Sequence, residues 1–394
     1  PYLAVLNHLQ FKSLGDVDRM IKDNSEDAYT LAVYQIGNTD LDIISSTVAI
    51  QDLCVVTILK NKGGAGGLKH MFDLLGGSSD VFNPEAFTAG QKSEMMAAGE
   101  VYKKIPFKKW TYNFLSVLID QNIPLWFDDT YWDNVTANWT AAAELAKSCN
   151  MVGISLDPEG YGVYPVESYW RSEYWLKTDN KHTADQYIME ARKRGRQIGE
   201  AIFAVFPEMV LWSYYFWSFN GADMMGAFCN GLLESMPPKA RLIDGDEWSG
   251  YTAQTPAAYE RMKERNETGC GMLDEALKTK HMQQGGFAPS FYMDAYAFPE
   301  SNDCLQPTIA NVEDRVAFFA ENLKAAISTT TGGHIWIYGE QLTWWPSEGS
   351  SVVDWETLLP GIRKVLFERK RSFSTPTGPT ASRPRSAWPC LRRR

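Results

Sequence analysis

Met151-Val-Gly-Ile-Ser-Leu-Asp157-Pro-Glu159-Gly-Tyr161-Gly162 decides the fold. An apolar run, 151–156, breaks off into Asp-Pro-Glu, and a helix-length amphipathic stretch, 185–206, follows. A short apolar run without polar alternation reads as a strand buried on both faces, as parallel strands are. The same unit recurs on either side. The run 123–127 ends in Asp128-Asp129 before a helical stretch at 136–148, and the very aromatic run 209–219 precedes a helix at 224–236. The run 240–243 leads into Asp244-Gly-Asp246-Glu247 and a helix over 256–280, and 287–293 leads into Asp294 and a helix over 312–329. The run 334–338 ends in Gly339-Glu340 before a last helix over 353–369. That makes six β-then-α units, and alternation on this scale predicts a parallel sheet with helices outside it.

Two apolar runs upstream, 29–36 and 53–59, bring the total to eight. The sequence therefore predicts an α/β fold, a (β/α)8 TIM barrel over 1–368 as one catalytic domain. Its N-terminal part, roughly 1–110, is irregular, with glycine-rich loops at 62–67 and 76–79 and a helix over 86–102. The stretch 369–394 has eight basic residues, none acidic, and no apolar periodicity, and reads as a disordered basic tail.

Composition narrows the function. With 44% hydrophobic residues the chain is not a disordered one, and 14 Trp and 18 Tyr among 394 residues are a large aromatic surplus. Outside the tail, 30 basic residues face 48 acidic ones, which makes nucleic acid a poor partner. No run approaches 18 apolar residues, so no membrane span is predicted. The six cysteines include no CxxC spacing and the five histidines no HExxH, so no metal site is predicted, and the cysteines read as buried free thiols. Lys62-Gly-Gly-Ala-Gly-Gly67 lacks the Lys-Ser/Thr of a phosphate loop, and no cofactor motif appears elsewhere.

A barrel of this class places its chemistry at the carboxyl ends of its strands. Asp157 and Glu159 stand two apart on an extended segment, so both face the barrel mouth. Two carboxyls held close cannot both ionise cheaply, and the one that keeps its proton suits a general acid. Asp244, Asp246 and Glu247 end a second strand. Glu247, beside Trp248, belongs in the site, while Asp244 or Asp246 orients other groups or caps the next helix. Glu340 ends a third strand and is followed by Trp344-Trp345. Aromatic rings beside fixed carboxylates suit a sugar, whose apolar faces stack on rings while its hydroxyls need polar partners. Asp128 with Trp132, and Asp294 with Tyr296, are further candidates, and Tyr161, Trp248, Trp344 and Trp345 complete the predicted subsites.

Glycosidic cleavage needs two carboxyls, one to protonate the leaving oxygen and one to attack C1 or activate water. Strands four apart around a barrel face each other. The ends of the fourth and eighth strands therefore pair Glu159, the general acid/base, with Glu340, the nucleophile or water-activating base, and Glu247 is the substitute partner. Asp157 tunes Glu159.

Phe127-Asp-Asp…Trp132, Gly153…Asp157-Pro-Glu159-Gly-Tyr161, Asp244-Gly-Asp-Glu247 and Trp336-Ile-Tyr-Gly-Glu340…Trp344-Trp345 together resemble a group of bacterial, largely uncharacterised glycoside hydrolases. The likeness runs from about Trp110 to Arg369. It implies the barrel, the hydrolase class and a secreted or periplasmic location. The Asp157-x-Glu159 pair is also similar to the paired acids of chitinase-like and hexosaminidase-like barrels, in which the substrate's own N-acetyl group attacks C1. The remaining alternatives are a non-catalytic carbohydrate-binding barrel and a metal-assisted hydrolase with Asp128, Asp157 and Asp244 as oxygen ligands.

Overall fold

The computed structural model describes residues 2–7, 30–34, 56–57, 81–102, 114–119, 123–219, 221–252, 255–298, 311–332, 334–338, 342–343, 353–362 and 364–365. The fold is mixed α/β, and every strand pairing described is parallel.

One sheet has six strands in sequence order: β3 (Val56–Thr57), β4 (Phe114–Leu118), β5 (Gly153–Asp157), β6 (Val210–Ser213), β7 (Arg241–Asp244) and β8 (Gly285–Phe287). A second has the order β2–β1–β10–β9, from Thr30–Tyr34, Tyr2–Asn7, His334–Tyr338 and Ser290–Tyr292. Among the described residues no ladder joins β2 to β3, so the pairing does not close into the eight-stranded ring of a TIM barrel. The other junction is one chain segment. Its first half, β8, pairs with β7, and its second half, β9, pairs with β10. Between them the amide of Ala288 still donates to the Asp244 carbonyl at 2.8 Å, and the Pro289 carbonyl already accepts from the Trp336 amide at 3.1 Å. Pro289 has no N–H to give to a ladder, which is where the strand breaks in two.

Trp336 on β10 brings the two sheets face to face. Its indole N–H donates to the Gly245 carbonyl at 2.8 Å, and its ring stacks on Tyr214 at 5.0 Å and meets Trp212 edge-on at 5.5 Å. Two strands lie between β6 and β10, so side chains from both can touch only if the sheet curls toward them. A Cβ at Gly245 would lie 2.6 Å from the Ser213 carbonyl and 2.9 Å from the Trp212 indole nitrogen, so nothing larger than glycine fits there.

The helices show why their sequences are helical. α1 (Ala89–Tyr102) precedes β4. α2 (Asp129–Ser148) is capped by Asp128, whose side chain accepts from the Tyr131 amide at 3.1 Å, and it buries Trp132, Val135, Trp139, Ala142 and Ala146. α3 (Ala184–Val205) opens with a capping box between Thr183 and Gln186. α4 (Asp223–Ser235) packs against α3 through glycine. A Cβ on Gly195 of α3 would stand 2.1 Å from the Phe228 carbonyl of α4, and one on Gly231 of α4 would stand 2.1 Å from the Arg192 carbonyl of α3. Ion pairs flank the contact, with Glu234 of α4 held by Arg192 and Arg196 of α3. The chain continues through α5 (Glu247–Thr252), α6 (Pro256–Glu267), α7 (Lys278–Gln284), α8 (Met293–Ala297) and α9 (Val312–Thr329).

Several boundaries differ from the sequence reading. The stretch 123–127 is not a strand; the strand before α2 is β4, and 123–127 is the approach to the Asp128 cap. The aromatic run 209–219 stays extended only to Ser213. Beyond it Asp244 accepts hydrogen bonds from the amides of Phe216 (3.2 Å) and Ser218 (2.8 Å), which draws the chain out of the ladder. The chain turns there, and Tyr215 stacks on Phe219, four residues on, at 4.6 Å. The helix predicted over 256–280 breaks after Glu267, where Gly269, Cys270 and Gly271 all take positive φ. Of the last predicted helix, Trp355–Leu358 is helical and follows a short strand, Val353–Asp354. The 62–67 and 76–79 loops and the 369–394 tail lie outside the described residues. No described helix is long and apolar enough to cross a membrane.

Candidate active site

β5, β6 and β7 run side by side and in the same direction, so their carboxyl ends present three neighbouring positions at one level. The ladder carries slightly past each strand. The Tyr214 amide donates to the Leu156 carbonyl at 3.0 Å, Gly245 to Ser213 at 2.7 Å, and Glu247 to Tyr214 at 3.1 Å. These bonds set Asp157, Tyr214 and Glu247 beside one another by backbone geometry alone.

Asp157 is buried. Its Oδ1 accepts from the Glu159 amide at 3.1 Å, a turn that folds Glu159 back toward it. The Tyr161 hydroxyl lies 2.8 Å from Asp157 Oδ2 and 2.9 Å from Glu159 Oε2. Its ring is half exposed, whereas the oxygen is enclosed between the carboxyls. Burial pushes the Tyr161 phenol far above its usual value, and the charges of Asp157, Glu159 and Glu247 push the same way. Tyr214 and Tyr215 respond alike. Burial raises both, and next come Asp157, Glu247 and Glu159 for Tyr214, and Glu247 and Glu159 for Tyr215. Three carboxyls thus converge on one group of phenols that stay protonated at any ordinary pH. Glu247, itself buried, accepts from the Tyr251 hydroxyl at 2.8 Å, and the Tyr251 ring lies 5.0 Å from Tyr292. The indole of Trp248 is 38% exposed and lies 6.3 Å from the Tyr215 ring, so it offers a free apolar face at the rim.

The loop after Glu159 is tied down rather than loose. The Gly160 amide donates to the Val166 carbonyl at 2.9 Å, and the Trp170 indole donates to the Pro158 carbonyl at 2.9 Å.

Asp244 and Asp246 support this end. Asp244 is fully buried. It accepts from the amides of Phe216, Ser218 and Asp246 and from the Ser218 hydroxyl at 2.5 Å, and so builds the turn that carries Tyr214 and Tyr215. Burial pushes the carboxyl of Asp246 well above the usual carboxylate range, and the charge of Asp244 adds to this.

Other predicted site residues lie elsewhere. Asp128 is the exposed cap of α2. Trp132 has no exposed surface; its N–H donates to the Leu125 carbonyl at 3.0 Å and its ring packs on Trp126 and Phe82, so it has no face to offer a sugar. Tyr296 is buried against α9, where Phe319 meets it edge-on at 5.3 Å and Asn322 donates to its hydroxyl at 3.2 Å. Asp294 is fully buried beside it in sequence, on α8. Glu340, Trp344 and Trp345 lie outside the described residues. Among the described residues no three of His, Cys, Asp and Glu group as metal ligands. Tyr214, Tyr215 and Tyr251 join the site. The sequence offered the first two only as part of the aromatic run 209–219, and the signal that finds Tyr251 is its place one helical turn after Glu247.

Much of the aromatic surplus has a structural use. Seven tryptophans are fully buried among the described residues, and Phe82 alone is met edge-on by Trp132, Trp139 and Trp170 at 6.0–6.2 Å. No protein-family model matches the chain, and neither does any curated protein.

Proposed function

We propose that this protein is a glycoside hydrolase acting on a poly- or oligosaccharide, with Glu159 and Glu247 as its working carboxyls. The reading rests on the convergence of Asp157, Glu159 and Glu247 on Tyr161, Tyr214 and Tyr215 at one end of adjacent parallel strands. Glu159, the less buried of the two, is the general acid/base that protonates the leaving oxygen. Glu247, held by Tyr251, is the nucleophile or the base that activates water. Trp248 and Tyr161 supply the ring faces on which a pyranose stacks. The two parallel sheets are read as the wall of one (β/α)8-type barrel, and the resemblance to bacterial glycoside hydrolases agrees with this assignment.

The test is a screen of chromogenic glycosides and polysaccharides with the parent protein and two variants. Glu159→Gln and Glu247→Gln should each lower turnover about a hundredfold or more, with an unchanged urea midpoint. Wild-type turnover in both variants sinks the pairing. Oligosaccharide binding without cleavage by the parent protein makes it a carbohydrate-binding protein instead.

A second reading is favoured by the single hydroxyl that touches both Asp157 and Glu159. Acids this close suit substrate-assisted cleavage of an N-acetylhexosaminide, with Asp157 orienting the acetamido group and Glu159 donating the proton. In that case Asp157→Asn abolishes turnover and Glu247→Gln leaves most of it.

A further inference from the structure

We propose that Tyr161 is a positioning residue whose hydroxyl hydrogen moves between Asp157 and Glu159 as Glu159 loses and regains its proton. The inference rests on the two-carboxyl reading above and adds to it a role for a residue that reading uses only as a ring.

The geometry is symmetrical to a tenth of an ångström, with the phenol oxygen 2.8 Å from Asp157 Oδ2 and 2.9 Å from Glu159 Oε2. A phenol has one hydrogen and can donate it to one carboxylate at a time. Burial and the surrounding carboxyl charges keep that hydrogen on the oxygen, so Tyr161 acts as a donor and not as an acid. Asp157 is held in place by the Glu159 amide, and the loop is anchored at Gly160 and at Pro158, so neither acceptor needs to move. Only the hydroxyl rotor turns.

The proton balance is simple. With Glu159 protonated, Asp157 is the anion and takes the Tyr161 hydrogen bond. Glu159 then gives its proton to the glycosidic oxygen as the C1–O bond breaks, and the negative charge appears on Glu159. The Tyr161 hydroxyl rotates to Glu159 and stabilises the carboxylate there. When Glu159 takes a proton back, from the attacking water if Glu247 is the nucleophile or from solvent if Glu247 activates the water, the hydroxyl returns to Asp157. No covalent bond to Tyr161 forms or breaks. Because the donor already stands within reach when charge appears on Glu159, that charge meets a hydrogen bond without reorganisation of solvent or loop, which lowers the barrier to the step.

Tyr161→Phe keeps the ring and removes only the hydroxyl that both carboxyls contact. The free protein, labelled with carbon-13 at its Asp and Glu carboxyls and assigned with Asp157→Asn and Glu159→Gln, reports the titration of each acid directly. Loss of the hydroxyl should raise the midpoint of whichever carboxyl ionises first by about one pH unit. With a cleavable glycoside, kcat should fall about tenfold or more while KM changes less than about threefold, and the acidic limb of the pH profile should move up with the titration. Unchanged carboxyl midpoints in Tyr161→Phe overturn the proposal, as does a rise in KM with kcat and the pH profile intact, which is the mark of a stacking ring alone. If no glycoside is cleaved by the parent protein, the hydrolase reading fails, and the titration still decides whether Tyr161 is shared between the two acids.

Discussion

Trp132 and Trp248 illustrate how little a residue type says about its use. Both follow a carboxylate closely in sequence, yet one is sealed in the core and the other stands open beside Tyr215. Trp132→Ala should therefore cost stability, about 3–5 kcal/mol in urea unfolding, through the cavity it leaves. Trp248→Ala should leave the urea midpoint within about 0.5 kcal/mol of the parent value and weaken oligosaccharide binding instead, which calorimetric titration measures. Asp246 supports a pH prediction. Burial, and next the charge of Asp244, raise its carboxyl above the ordinary range, with Arg265 opposing. In the unfolded chain it returns to that range, so the native state binds more protons over the interval above about pH 4 and stability falls as pH rises. Asp246→Asn carries no charge at any pH, and asparagine tolerates the φ of 38° found there. The variant should show a flatter fall in urea midpoint between about pH 5 and about pH 8, and equal slopes in parent and variant count against the assignment.

At the scale of the element, the contact of α3 with α4 depends on absent side chains. Gly195 and Gly231 each let the opposite backbone approach to a distance that a methyl group would occupy. Gly195→Ala improves intrinsic helix propensity by about 1 kcal/mol. The clash with the Phe228 carbonyl should outweigh that gain and lower stability by about 2–4 kcal/mol in urea unfolding, because the obstacle is backbone and cannot rotate away. A neutral or stabilising result means that the helices can part without cost. The elements were mostly legible in the sequence where apolar periodicity was unbroken. β5 and β10 fall where their runs put them, and α9 has the predicted bounds. Two of the failures share one cause, a polar side chain that competes with the ladder or helix. Asp128 turns 123–127 into the entry to a helix, and Asp244 bends 214–219 out of a strand. The Asp128 cap reaches only Tyr131, three residues on, but the Asp244 bonds join residues far apart in the chain, so no local pattern announces them.

For the whole molecule, Trp336 is a second tie between the two sheets, beside the shared segment 285–292. It spans from β10 to the end of β7 and stacks on Tyr214 in the site. Trp336→Phe loses one buried hydrogen bond and should lower stability by about 1–3 kcal/mol. Unfolding should remain a single transition, with fluorescence and far-ultraviolet dichroism coinciding, because the segment 285–292 belongs to both sheets. Two separated transitions would mean that the sheets fold independently.

The order of apolar runs, helices and terminal carboxylates was enough to determine a parallel α/β protein with Asp157, Glu159 and Glu247 at strand ends, because burial on both faces of a strand leaves its mark in every such run. Tertiary structure alone decided that Asp157 and Glu159 share the Tyr161 hydroxyl, that Trp132 and Tyr296 are packing, and that Asp244 builds a turn. Each of those outcomes depends on which distant group lies within about 3 Å of a side chain, and distance in space is what a linear pattern does not carry.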